Sequence, residues 1–187
     1  MITRAYENRQ QCVINAVMLF GVYILSHFTC FSQPPHSKRF FPVPVLQNNN
    51  GSSLIGLVTI SSHLVSEAKK TELLGESVEQ RAVVQQWLEY RLTRLDNCSQ
   101  DEVNIILTEL NEYLVDKVYL AGNSITLADA LMYYGIHHII SELAVQQKEK
   151  YLNVTRWFDH IQHYPGVRHH LPPVIVLRNR VYQSNQH

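Results

Sequence analysis

Histidines and carboxylates are the side chains here whose types and spacing could do chemistry. The ten histidines include His137-His138, His169-His170, and His160 with His163 three residues on. On a helix such a spacing puts two imidazoles on one face, as in some metal sites. A metal centre needs further ligands at a fitting spacing, and none follows. Cys12, Cys30 and Cys98 are widely spaced and form no Cys-x-x-Cys, which points to a reducing compartment rather than a disulfide framework. There is no Gly-x-Ser-x-Gly, phosphate-binding loop, His-Glu-x-x-His or Gly-x-Gly-x-x-Gly. Asp129 is the one acid set into an apolar stretch, and nothing around it composes a nucleophile, a base and an oxyanion site. No catalytic residue, metal ligand or cofactor is expected.

Asp129 is explained better as structure. Thr126-Leu127-Ala128-Asp129 has the form of a capping box, with Asp in place of the commoner Glu or Gln. Thr126 can accept from the Asp129 N–H, and the carboxylate can reach back to the Thr126 N–H. The carboxylate also lies at the positive end of the helix dipole. Loss of such a cap costs roughly 1 kcal/mol in an exposed helix. Beyond it come Leu131, Met132, Tyr133, Tyr134, Ile136, Ile139 and Ile140, apolar on nearly every face. A helix of that kind forms the centre of a bundle.

The rest of the chain must supply the bundle. Its 187 residues are 45% hydrophobic and 17% charged, which is ordinary for a globular protein with a proper core. Sixteen basic residues balance sixteen acidic ones. Without a basic excess, direct nucleic-acid binding is not expected.

Residues 1–42 differ in texture. The apolar run Cys12–Leu25 is shorter than the ~20 residues of a membrane span, although Arg4 and Arg9 precede it as in a signal peptide. No small-x-small cleavage site follows cleanly. From Val43 the pattern becomes regular. Val43-Pro44-Val45, the turn Asn48-Asn49-Asn50-Gly51 and Ser52–Ile55 predict a β-hairpin over 43–55. Pro44 reads as a plain edge-strand proline or as the cis-proline loop of a thioredoxin-like domain, with trans as the default. Gly56–Ala68 predicts an amphipathic helix. Ser77-Val78-Glu79-Gln80 and Ser99-Gln100-Asp101-Glu102 each predict a capping box. The first opens a long helix carrying Val84, Trp87, Leu88, Arg91, Leu92 and Leu95. The second opens a helix carrying Val103, Ile106, Leu107, Leu110 and Leu114. Leu143–Lys150 reads as a charged connection, and Tyr151–Ile161 as a further helix stopped by Pro165-Gly166.

A Val-Pro-Val-Leu hairpin, a helix, and then a helical bundle whose core helix opens with Ile125-Thr126-Leu127-Ala128-Asp129 resemble the glutathione-transferase-like family. The runs Val84–Arg91, Asp116–Leu120 and Lys148–Val154 resemble its version in translation factors and aminoacyl-tRNA synthetases. The resemblance runs from about Val43 to the end. It implies a mainly α fold. An incomplete thioredoxin-like part, hairpin plus helix, would occupy 43–70, and an all-α bundle 71–187. Residues 1–42 would form an atypical segment, disordered or a hydrophobic helix. Gly56-Leu57 stand where transferases carry Glu-Ser, so Leu57 offers no hydroxyl to glutathione. The first strand and its catalytic residue have no recognisable counterpart.

The resemblance therefore implies a non-catalytic scaffold of the multi-aminoacyl-tRNA synthetase complex rather than a glutathione transferase or a membrane-tethered variant. The partners it implies are methionyl-tRNA synthetase, glutamyl-prolyl-tRNA synthetase and other subunits of that complex. A nuclear role in the DNA damage response, with DNA-damage kinases, comes with it, in a protein both cytoplasmic and nuclear. One docking face is expected to expose Leu57, His63, Ala82, Gln85 and Gln86, with Arg91 at its end. A second is expected to centre on Arg156.

Overall fold

The computed structural model describes residues 44–47, 53–169 and 171–176. The run Cys12–Leu25 and the Val43–Pro44 peptide lie outside them. No helix among the described residues is long and apolar enough to cross a membrane.

Strand β1 (Val45–Gln47) pairs antiparallel with β2 (Ser53–Ile55), with Val45 opposite Ile55 and Leu46 opposite Leu54. The expected antiparallel pairing is therefore present, while the turn Asn48-Asn49-Asn50-Gly51 lies outside the described residues. Gly56, at φ 96°, turns the chain out of the ladder. Its N–H donates to the Pro44 carbonyl at 2.8 Å. Helix α1 (Leu57–Glu67) buries Leu57, Ile60, Ser61 and Val65. Leu57, expected on an exposed docking face, is only 5% exposed. As the first residue of α1 it shares the inward stripe with Ile60, three residues on.

A short 3-10 turn (Thr71–Leu74) leads to α2 (Val78–Tyr90). The Ser77 hydroxyl accepts from the Gln80 N–H at 3.1 Å. The Gln80 side chain accepts from the Glu76 N–H at 2.9 Å, one residue before the position a capping box uses. The helical stripe expected to run through Leu95 changes pitch at Arg91–Leu95, which forms a π-helical turn. Its wider loop is closed by the Asp96 N–H donating to Arg91 O at 2.8 Å.

Arg91 is a second correction to the expected docking face, being 3% exposed. Nine residues beyond Ala82 is about two and a half helical turns, so the two residues point to opposite sides. The Arg91 guanidinium donates through Nη1 to the Leu131 carbonyl and lies 3.4 Å from Asp96 Oδ1.

Helix α3 (Gln100–Tyr113) buries the expected stripe of Val103, Ile106, Leu107 and Leu110, with Leu114 just beyond it. The Ser99 N–H donates to Glu102 Oε2 at 2.8 Å at its start. Helix α4 (Leu127–Glu142) is buried on almost every side and packs against α2 and α6. Leu143–Lys150, expected as a connection, contains helix α5 (Val145–Lys150). It is anchored by Lys148, which turns inward and donates to the Ile175 carbonyl at 3.1 Å. Helix α6 (Leu152–Gln162) has no side-chain cap of its own. Asn111 of α3 supplies one, its Oδ1 accepting from the Asn153 N–H at 2.9 Å and from the Val154 N–H at 3.3 Å.

Candidate functional site: docking faces around a buried aspartate

The Asp129 carboxylate is fully buried, at 0% exposure, and joins three parts of the bundle. Oδ2 accepts from the Thr126 N–H at 3.0 Å and from the Thr126 hydroxyl at 2.8 Å. Oδ1 accepts from the Leu120 N–H at 2.8 Å and from the Trp157 indole N–H at 2.9 Å. The cap of α4 thus also anchors the incoming loop and α6. Burial pushes the Asp129 carboxyl above the usual carboxylate range, while its hydrogen bonds from Leu120, Trp157 and Thr126 act in the opposite direction. Fully buried and accepting four hydrogen bonds, the carboxylate serves as a buried acceptor.

Among the described residues the histidines do not converge on a common site. His160 Nε2 lies 3.1 Å from the Tyr119 hydroxyl. His163 Nδ1 lies 2.8 Å from the Asp159 carbonyl oxygen. His137 Nε2 lies 3.2 Å from the Pro172 carbonyl oxygen. Among the described residues no group of three His, Cys, Asp or Glu could hold a metal ion.

The outward side of α2 carries Ala82, Gln85 and Gln86, all exposed. Ser77 and the buried Val84, Trp87 and Leu88 fix the helix from which they project. The Gln85 side-chain amide donates to Glu89 Oε1 at 3.1 Å, which orients it along the helix. Ala82 is small and lies one helical turn before Gln86, so another helix can approach closely there. His63 on α1 is half-buried and lies 3.3 Å from Glu67 Oε1.

Arg156 lies on the outer side of α6 and is exposed. Its Nη2 donates to Leu114 O at 2.8 Å and to Lys117 O at 3.0 Å. These carbonyls close the C-terminal end of α3, where a cation is favoured by the helix dipole. Arg156 therefore braces α3 as well as facing solvent. Asn111, Leu120 and Trp157 escaped the sequence reading as structural partners. Their bonds span 42, 9 and 28 residues, beyond any local motif.

A hairpin and helix ahead of an all-helical bundle, with a capped and buried core helix, define the glutathione-transferase-like fold. A class Gtt2 glutathione S-transferase of Vibrio parahaemolyticus matches it with a TM-score of 0.58 at 19% identity, over 85% of this chain and 91% of that one. Residues 80–165 match the family model described as "Nuclear-export cofactor Arc1p". The chain is 58% identical over 146 residues to eukaryotic translation elongation factor 1 epsilon-1 of Homo sapiens, covering 78% of this chain and 83% of that protein. It is 30% identical over 105 residues to the bifunctional glutamate/proline--tRNA ligase of Cricetulus griseus, covering 56% of this chain and 7% of that protein. The chain belongs to the elongation factor 1 epsilon family.

Proposed function

We propose that this chain is a non-catalytic scaffold subunit of the multi-aminoacyl-tRNA synthetase complex. It docks on methionyl-tRNA synthetase through the Ala82, Gln85 and Gln86 face of α2. It docks on glutamyl-prolyl-tRNA synthetase around Arg156. The 58% identity to an elongation factor 1 epsilon-1 over most of the chain carries this reading. The likeness to part of a glutamate/proline--tRNA ligase supports it, since two copies of one module can pair face to face. Leu57, at the position where transferases hold glutathione, lies in the core and offers no hydroxyl, which supports a scaffold over an enzyme. The proposal extends to a protein both cytoplasmic and nuclear, with DNA-damage kinases as further partners and a role in the DNA damage response.

The test is co-elution of the full chain with the amino-terminal domain of methionyl-tRNA synthetase on a sizing column. A stable complex is the expected result. Separate elution, while human elongation factor 1 epsilon-1 binds in the same buffer, would remove the methionyl-tRNA synthetase assignment.

A further inference from the structure

The hairpin is apolar where a solvated sheet face is normally polar. Val45 stands opposite Ile55, and the two are 54% and 58% exposed. Their neighbours Leu46 and Leu54, also opposite one another, face the other side and are half-buried. Helix α1 packs against β2. A sheet with one solvated face alternates apolar with polar residues, whereas strands covered on both faces are apolar at successive positions. The Val45 side of this hairpin is divided. Toward the turn it has the pair Gln47 and Ser53, polar by type, and at the base it has Val45 and Ile55. Among the described residues nothing covers the pair at the base.

The base is also the end at which the preceding chain enters. The Gly56 N–H donates to the Pro44 carbonyl at 2.8 Å, so residues 1–43 join the hairpin directly beside Val45 and Ile55. Those residues include the run Cys12–Leu25, which carries no charged side chain. The run is shorter than a membrane span of ~20 residues, yet its apolar surface is costly to leave in water. Residues 26–44 tether its end to Val45. A tether of that length supplies an effective concentration on the order of millimolar, ahead of any separate molecule.

We propose that the Val45–Ile55 side of the hairpin is the docking surface for the apolar run Cys12–Leu25 of the same chain. The run supplies the second layer of a sheet whose other side faces α1. Docking takes the Val45–Ile55 pair and the uncharged run out of water together. It also withholds the run from membranes and from other chains. The surface uses neither Ala82, Gln85 and Gln86 nor Arg156, so it stands independently of synthetase docking.

The test is hydroxyl-radical footprinting of the full chain, read by mass spectrometry. Val78 and Ile175, 75% and 70% exposed, serve as references of the same residue types. Val45 should label about fivefold or more slowly than Val78, and Ile55 likewise against Ile175, because a docked segment shields both. Equal rates within each pair would overturn the proposal. Val17→Asp with Leu19→Asp puts carboxylates into the run, where they cannot be buried unpaired. In that variant Val45 and Ile55 should label at the reference rates. The buried Leu131 should stay protected, which shows an intact bundle. Undiminished protection of Val45 and Ile55 in the variant would assign the cover to a different segment. Protection that grows with chain concentration would assign it to a second copy. Either result overturns the proposal.

Discussion

Trp157 donates its indole N–H to Asp129 across 28 residues of sequence, at 2.9 Å in a fully buried setting. This bond ties the cap of the central helix to α6. Trp157→Phe keeps most of the apolar volume but leaves one Asp129 oxygen short of a donor. The expected loss is about 1–3 kcal/mol, from the unmet acceptor. Asp129→Ala strands the Leu120 N–H, Thr126 N–H and Trp157 N–H together and should cost more than Trp157→Phe. Urea unfolding of both variants measures this, and equal midpoints for the two would show that the carboxylate is not the shared node.

Gly135 sits where α4 crosses the π-helical turn. A Cβ at this position would lie 2.6 Å from Leu95 Cδ2 and 3.4 Å from Arg91 Nε. Alanine favours a helix over glycine by about 1 kcal/mol, but the buried Leu95 must move to admit it. Gly135→Ala is expected to lower stability by about 1–3 kcal/mol through overpacking. A second change, Leu95→Ala, should make the Gly135→Ala step less damaging than it is in the unmodified chain. A double-mutant cycle by urea unfolding reads the coupling, and strict additivity would place the strain elsewhere.

Burial holds His137 below the ordinary histidine value, with the Pro172 carbonyl opposing and His138 adding to the shift. Because the folded value is depressed, the unfolded chain takes up the proton first. The contribution of His137 is therefore complete above about pH 6.5 and is lost as pH falls through the folded value. Its ring lies near Tyr133 and Phe158, whose side chains bring no charge to offset protonation. Unfolding midpoints at pH 7.5 and pH 5.5 should fall more in the unmodified chain than in His137→Gln. The same drop in both would assign the titration to another group.

Ala82 and Arg156 separate docking from stability. Ala82→Arg places a long cation on an exposed helical face and should leave the unfolding midpoint within about 0.5 kcal/mol of the unmodified chain. On the proposed function it prevents co-elution with the methionyl-tRNA synthetase domain by clash and desolvation. Arg156→Ala removes two hydrogen bonds to the end of α3 and should cost about 1 kcal/mol even with no partner present. Loss of glutamyl-prolyl-tRNA synthetase binding at a temperature where Arg156→Ala is fully folded would assign the side chain to that interface. Undiminished binding would leave it only its bracing role.

Those two residues also show how far the sequence could be read. The exposure of Ala82, Gln85 and Gln86 followed from the apolar stripe Val84, Trp87 and Leu88 on the other side of α2. Arg91 falls on that same stripe by regular helical spacing, which sets it opposite Ala82, so its place on the docking face was a misreading of the period. Leu57 was assigned to a face that its place in the first turn of α1 excludes. Arg156 stood out as an anchor on the surface, but its bonds to the end of α3 depend on how α6 crosses that helix.

The sequence by itself determined the local features: the apolar stripes of α2 and α3 and the Thr126–Asp129 pairing. Each depends on residues within about one helical turn, whose separation is set by backbone geometry. The tertiary structure decided the rest: the bond from Arg91 to the Leu131 carbonyl, the donors from Leu120 and Trp157 to Asp129, the Asn111 cap of α6, and the bonds of Gln162 to Val174 and of Lys148 to Ile175. In these contacts the partners meet only after helices have packed, and packing angles arise from the whole interlocked core rather than from any short stretch of chain.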